Sequence, residues 1–311
     1  MSATRPRYGG TLRVELRDPV ESADPPQAGP GMADLSPAFD ITRWEAGRRA
    51  TFAADENAPG GRPFLEAVDV QMAAPMRDRA IGLGRADLVE LATSEVPRLR
   101  AGERIWSSSP NKLIALVFNP RIEDARVREA LALAVDRAAI HKFLLQGQGE
   151  VAGGLLPQWI SGYAFLFPTA VDAAKARSLL PGPRTLTLAA EDRAMADRTA
   201  LNAQGIGLTL TVVGPAANAD VRLVRVRIAS AEPMGALAGV AAALGLPEPP
   251  RVESPEALYA AEKALLDGYK VIPLCHFPDI YAVGPRVRGG PGITPLGEWR
   301  FENLWLEERA R

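Results

Sequence analysis

The stretch "LIALVFNPRIEDARVREALALAVDRAAIHKFLLQGQGEVAGGLLPQWISGYAFLFP", residues 113–168, decides how the chain is built. It opens on a continuous apolar run, Leu113 to Phe118, which suits a strand buried on both faces. Asp124 then stands where a helix N-cap belongs. Val127, Leu131, Ala134, Val135 and Ala138 recur at spacings of three and four, which gives one buried stripe. Gly147 and Gly149 are expected to stop that helix and let the chain turn sharply. Trp159, Tyr163, Phe165 and Phe167 follow within nine residues. Phe165 and Phe167 are expected in the core. Trp159 and Tyr163 each join a broad apolar face to one polar handle, a combination suited to ligands of variable shape.

Outward from this stretch, alternating or apolar runs predict strands over 11–16, 48–55, 67–73, 86–91, 104–108, 113–119, 185–190, 206–213, 220–229 and 270–277. Helices are expected at 172–180, 191–204, 232–244 with Ser230 as cap, and from Ser254 to Gly268. Pro273 favours an edge or a bulge in its strand. The loop up to about Asp40, with Pro19, Pro25, Pro26, Pro30 and Pro37, should carry no regular structure. In the C-terminal stretch, Trp299, Phe301, Leu304 and Leu306 should cover a core face. Strands and helices mix throughout, so the class is α/β.

The chain has 311 residues, enough for about two domains. Its formal net charge of −1 supplies no basic field for nucleic acid or an anionic membrane. A single cysteine, Cys275, excludes an internal disulfide. No apolar run approaches the ~18 residues of a membrane span. The N-terminus lacks the apolar core of a signal peptide, so the expectation is a cytosolic protein or a mature form whose export signal has been removed.

The motifs that would carry chemistry fail on physical grounds. "GQGEVAGG" (147–154) follows a helix, whereas a phosphate-binding glycine loop must open one. Cys275 and His276 are adjacent on a strand and point to opposite faces, so they cannot form a nucleophile–base pair. Two histidines far apart make no transition-metal site, and the carboxylate pairs Glu123-Asp124 and Glu307-Glu308 sit at element ends. No catalytic residue, metal or cofactor is expected.

The order of these pieces carries a resemblance. "LIALVFNP", then "DARVREALALAVDRAAIHKFLLQGQGEVAGGLLP", resembles the extracellular solute-binding proteins of ABC importers, more narrowly the peptide-, oligopeptide- and nickel-binding class, family 5. "YGGTLRVEL" (8–16), "DAAKARSLL" (172–180) and "VIPLCHFPDIYAVGPRVRGGPG" (271–292) look like its opening strand, following helix and returning segment. The resemblance implies a bilobal, periplasmic-binding-protein-like (type II) α/β fold, two mixed-sheet lobes joined by crossing strands. Residues 8–118 with 270–311 would form lobe 1 and 119–269 lobe 2. It implies capture of a small organic solute, peptide-like first, in a cleft between lobes, and delivery to ABC importer membrane subunits by a monomer. It places the protein in the periplasm or outside the cell if an export signal has been removed.

Members of the family are longer, and the chain looks like a shortened one with an insertion in its first lobe absent. The family's acidic ligand-amine stretch is replaced by "IASAEPMGAL" (228–237), where only Ser230, Glu232 and Pro233 keep the look. Candidate ligand-binding residues are Trp106, Ser108, Asn119 at the presumed hinge, Trp159, Tyr163, Arg225 for a ligand carboxylate, Ser230, Glu232 and His276. The alternatives are a degenerate member acting as a protein-interaction scaffold, and a hydrolase built on Cys275 or a carboxylate pair.

Overall fold

The computed structural model describes residues 5–20, 38–72, 83, 85–99, 103–163 and 165–307. The expected proline-rich loop lies largely outside these residues, as does Glu308. The chain divides into two compact units, Met1–Ser109 with Pro278–Arg311, and Pro110–Phe277.

In the first unit the strands are β1 (Thr11–Glu15), β2 (Phe39–Glu45), β3 (Arg49–Ala54), β4 (Ala67–Gln71), β5 (Leu88–Glu90), β6 (Arg104–Ser107) and β13 (Ile280–Val283). Among the described residues they form one mixed sheet in the order β2-β3-β4-β1-β5-β13-β6. β1 runs parallel to β4 and β5, while β2, β3 and β4 are antiparallel neighbours. β2 was not expected, because its outward residues leave only a weak apolar alternation (Phe39 is buried, Asp40 to Arg43 exposed). The C-terminal stretch closes the core as expected. Trp299, Phe301, Leu304 and Leu306 are buried with Leu12, Val14 and Phe52, and Trp299 stacks on Phe301 at 5.0 Å. Each such side chain contributes about 1.5–3 kcal/mol of burial.

The second unit holds β7 (Lys112–Phe118), β8 (Glu150–Val151), β9 (Arg184–Ala189), β10 (Leu208–Val213), β11 (Val221–Arg227) and β12 (Val271–Phe277). Their order is β10-β9-β11-β7-β12-β8. β7 is central and antiparallel to both neighbours. Its side chains alternate between two cores: Ile114, Leu116 and Phe118 on one face, Leu113, Ala115 and Val117 on the other. The continuous apolar run therefore has the two-faced burial read from it. Helices α1 (Ala125–Ala134), α2 (Gln158–Ser161), α3 (Ala173–Leu179), α4 (Arg193–Gln204), α5 (Pro233–Leu244) and α6 (Pro255–Leu266) cover these faces. None of the described helices is long and apolar enough to cross a membrane.

Two expectations need correction. The unit boundaries fall at 109/110 and 277/278 rather than 118/119 and 269/270, because β7 and β12 are interior strands of the second sheet. The opening helix, capped by Asp124 as expected, does not run on to Gly147. It stops at Val135, whose ψ is 116°, and Asp136 caps a new turn by accepting from the Ala139 N–H at 2.8 Å. The break leaves Ala138 exposed and turns Arg137 inward instead, where it is 1% exposed. Pro273 lies at a bulge, one of its two expected places, in an interior strand rather than an edge one. It is tolerated there because the register shifts between Pro273 and Cys275, and its freed carbonyl accepts from Arg137 Nε at 2.8 Å.

Candidate functional site

The glycine-softened segment after the opening helix is where the second unit gathers its polar side chains. Gly149 has φ +82°, and a Cβ there would lie 2.0 Å from the His276 carbonyl oxygen. A Cβ on Gly154 would lie 2.8 Å from Glu262 Oε1. The glycines thus let backbone approach β12 and α6, a task unrelated to phosphate.

Glu262 occupies the centre of this region and is fully buried. Its Oε1 accepts the N–H groups of Leu155 and, at 3.1 Å, Leu156, and its Oε2 accepts the Tyr163 hydroxyl. Burial pushes its carboxyl above the usual range, against the opposing pull of Tyr163 and the two N–H groups. Burial, then the neighbouring Glu262, likewise holds the Tyr163 phenol far above its ordinary value. Leu155 links this carboxylate to a second one: its carbonyl faces His276 Nε2 at 3.0 Å, and His276 Nδ1 lies 3.5 Å from Glu150 Oε1. Burial pushes Glu150 up, but His276 and the Gln158 N–H outweigh it, and its carboxyl falls below the usual range.

Tyr163 and His276, both read from the sequence as ligand contacts, are therefore joined through Leu155 and Glu262. His276 is 1% exposed, so its side chain holds backbone and offers no surface to a solute. Trp159, on α2, is 37% exposed and donates its Nε1–H to the Pro110 carbonyl at 2.7 Å. Tyr163 meets Tyr259 edge-on at 5.2 Å. Phe165 was expected in the core but is half exposed, because its ring lies over Gly153 as an outer layer. Phe167 is buried and stacks on Tyr269, as expected.

The remaining candidates separate. Arg225 on β11 pairs with Asp192 at 2.6 Å, so a ligand carboxylate there competes with an existing partner. Ser230 and Glu232 meet at the start of α5, but with roles exchanged. Glu232 is the N-cap, accepting from Met234 N at 2.9 Å and from Gly235 N, while Ser230 Oγ accepts from Glu232 N at 3.0 Å. Asn119 is not at a crossing point. The chain passes between units at Ser109–Pro110 and Phe277–Pro278, and Asn119 stands at the opposite end of β7, where it fastens Asn218 at 3.3 Å and the Arg121 N–H at 3.1 Å.

In the first unit, Ser108 is buried and accepts the Asp279 N–H at 2.9 Å, a latch between β6 and β13. Trp106 is partly buried against that unit's core and packs over Gly292. Cys275 is fully buried on the face opposite His276, and burial pushes its thiol up to about 12, far from a nucleophile's range. Among the described residues no group of three or more His, Cys, Asp and Glu could hold a metal ion.

The residue that sequence reasoning missed is Glu262. Its signal was present: it lies four residues after Leu258 and three before Leu265, on the apolar stripe of α6.

The sequence model of the bacterial extracellular solute-binding proteins, family 5, matches residues 22–181. No curated protein matches the chain. Among solved structures, the chain is similar to the periplasmic binding protein DppA from Helicobacter pylori in complex with peptide STSA, at 19% identity and a TM-score of 0.72. That match covers 87% of this chain and 63% of the other. The dipeptide-binding protein of Pseudoalteromonas sp. SM9913, in complex with Met-Leu, is similar at 15% identity and TM-score 0.72, over 87% of this chain and 64% of that one. NikA from Staphylococcus aureus, in complex with Ni(L-His)2, is similar at 16% identity and TM-score 0.69, over 87% and 68%. The chain thus spans less than two thirds of the two peptide-bound relatives. At these identities the likeness establishes the fold, an α/β architecture of two mixed-sheet lobes.

Proposed function

The chain belongs to the bacterial extracellular solute-binding proteins, family 5, and from that premise we propose that it is the capturing component of an ABC importer. Its solute is a small organic molecule, with peptides first among the classes to test. The observation that supports this most is the joint one of family and fold: a family 5 sequence on two mixed-sheet units between which the chain passes twice. The solved relatives hold a tetrapeptide-sized ligand, a dipeptide and a nickel–histidine chelate, and these define the ligand classes to screen. Trp159 and Tyr163 act as aromatic contacts, Arg225 as a carboxylate partner released from Asp192, and Glu232 with Ser230 as the polar end for an amine. Ser108 and His276 act by fixing backbone around the site. The partners are the solute and the membrane subunits of an importer, and the protein works as a monomer outside the cytoplasm.

A thermal-shift screen over di- and oligopeptides, amino acids, sugars and nickel chelates tests this. Ligand at 100 times its dissociation constant stabilises the protein by about 2.7 kcal/mol, a readily measured rise in melting temperature. Trp159→Ala is expected to weaken the responding ligand at least about tenfold while the unliganded protein keeps its fold by circular dichroism. No response to any class would sink the capture role and favour a protein-interaction scaffold.

A further inference from the structure

The second unit also carries an open cavity of about 1010 Å³, at the end of its sheet where β7 stops and β11 and β12 begin. Its wall is the sheet end with Val117 and Val271, the last turn of α5 with Leu244 and Leu246, and the loop 216–219. Arg128, Arg222 and Lys270 line it, against one carboxylate, Glu123.

Several exposed arginines of the unit are taken up by carboxylates, Arg121 by Asp220 at 2.8 Å, Arg126 by Asp124 at 3.1 Å and Arg225 by Asp192 at 2.6 Å, while Arg177 rests on the Gly205 carbonyl at 2.9 Å. Among the described residues, the side chains of Arg222 and Lys270 have no such partner. Arg128 commits Nε to the Gly268 carbonyl at 2.6 Å and Nη1 to that of Ile122 at 2.5 Å, without a carboxylate to balance its charge. The rim is already fastened by Asn119 to Asn218 and by Arg121 to Asp220, so the cavity is preformed. The C-terminal end of α5 opposes an anion only weakly, since the Gly245 and Leu246 N–H groups cap its last carbonyls.

A cavity at the upper end of the ~300–1,000 Å³ ligand range, with an apolar wall and convergent cations, is shaped for an amphipathic anion. We propose that it is a second binding site, for a small organic acid whose charged head meets Arg222 and Lys270 and whose apolar body lies on Val117, Leu244, Leu246 and Val271. β7 separates this site by roughly 20 Å of strand from the crossing at Pro110. It stands independently of the solute site proposed above.

The test is isothermal titration of the full chain with sodium octanoate, with inorganic phosphate and with octylammonium chloride. Octanoate is expected to bind saturably and phosphate more weakly, and octylammonium is expected not to bind. The double variant Arg222→Ala/Lys270→Ala should weaken octanoate by about tenfold or more, equivalent to about 1.4 kcal/mol. Both side chains are exposed, so the variant keeps its fold, checked by circular dichroism. Trp159→Ala should leave octanoate affinity unchanged. Absence of saturable octanoate binding, equal affinity in the double variant, equal binding of octylammonium, or phosphate binding as tightly as octanoate would each overturn the proposal.

Discussion

Replacing Glu262 isolates what the buried carboxylate does for the aromatic segment. In the native protein it takes hydrogen bonds from Leu155 N, Leu156 N and the Tyr163 hydroxyl. Glu262→Ala strands three donors in a dry site, and each stranded donor costs about 1–3 kcal/mol. Removing a buried carboxylate returns part of that through relief of its desolvation, so a net loss of about 3–5 kcal/mol is expected. Glu262→Gln keeps an acceptor oxygen for both N–H groups and should cost about 1 kcal/mol. Native-state hydrogen exchange, read on the peptide spanning 150–163, reports the local opening free energy directly. Protection should fall on the order of 100-fold or more in the alanine variant and about fivefold in the glutamine variant.

The pH dependence has a fixed sign. Burial raises the folded carboxyl above its unfolded value near 4.5, so the folded state holds the proton longer and wild-type stability declines as pH rises through that window. Glutamine has no such slope, and its stability relative to wild type should improve from pH 4.5 upward. Equal protection in the two variants, or a relative slope of opposite sign, would refute the assignment of Glu262 as a buried acceptor hub.

Two further outcomes follow from single positions. Gly149→Ala places a Cβ 2.0 Å from the His276 carbonyl on a backbone of φ +82°, whereas Gly147→Ala, at φ +73°, meets open space. The first should cost about 3 kcal/mol or more in a urea titration, the second about 1 kcal/mol; equal costs would exclude the close approach. The Cys275 thiol, pushed up to about 12, should react with iodoacetamide at pH 8 about a thousandfold more slowly in the native protein than in urea. Rapid native alkylation would reopen the thiol-chemistry reading.

Much of the second unit was legible because its signals are local. The Leu113–Phe118 run and the Asp124, Asp172 and Ser254 caps specify elements through residues no more than a turn apart. The break at Val135 was not legible in this way. A continued apolar stripe and an Asp cap are both local, and the choice went to Asp136 because Arg137 finds the Pro273 and Ala132 carbonyls inside. Ser230 and Glu232 were identified as a helix start, but which of them caps depended on the path of the chain into α5.

Sequence alone determined the alternation of strands and helices, the two-faced burial of β7 and the family resemblance, since each rests on periodicity or on motif order along the chain. Tertiary structure alone decided that His276 and Ser108 are turned inward to hold backbone, that Arg225 is already paired, and that Asn119 stands far from the crossing points. It also assembled Glu262 with Tyr163, and Arg222 with Lys270, from segments up to 99 residues apart. Such meetings depend on sheet order, which no short-range pattern encodes.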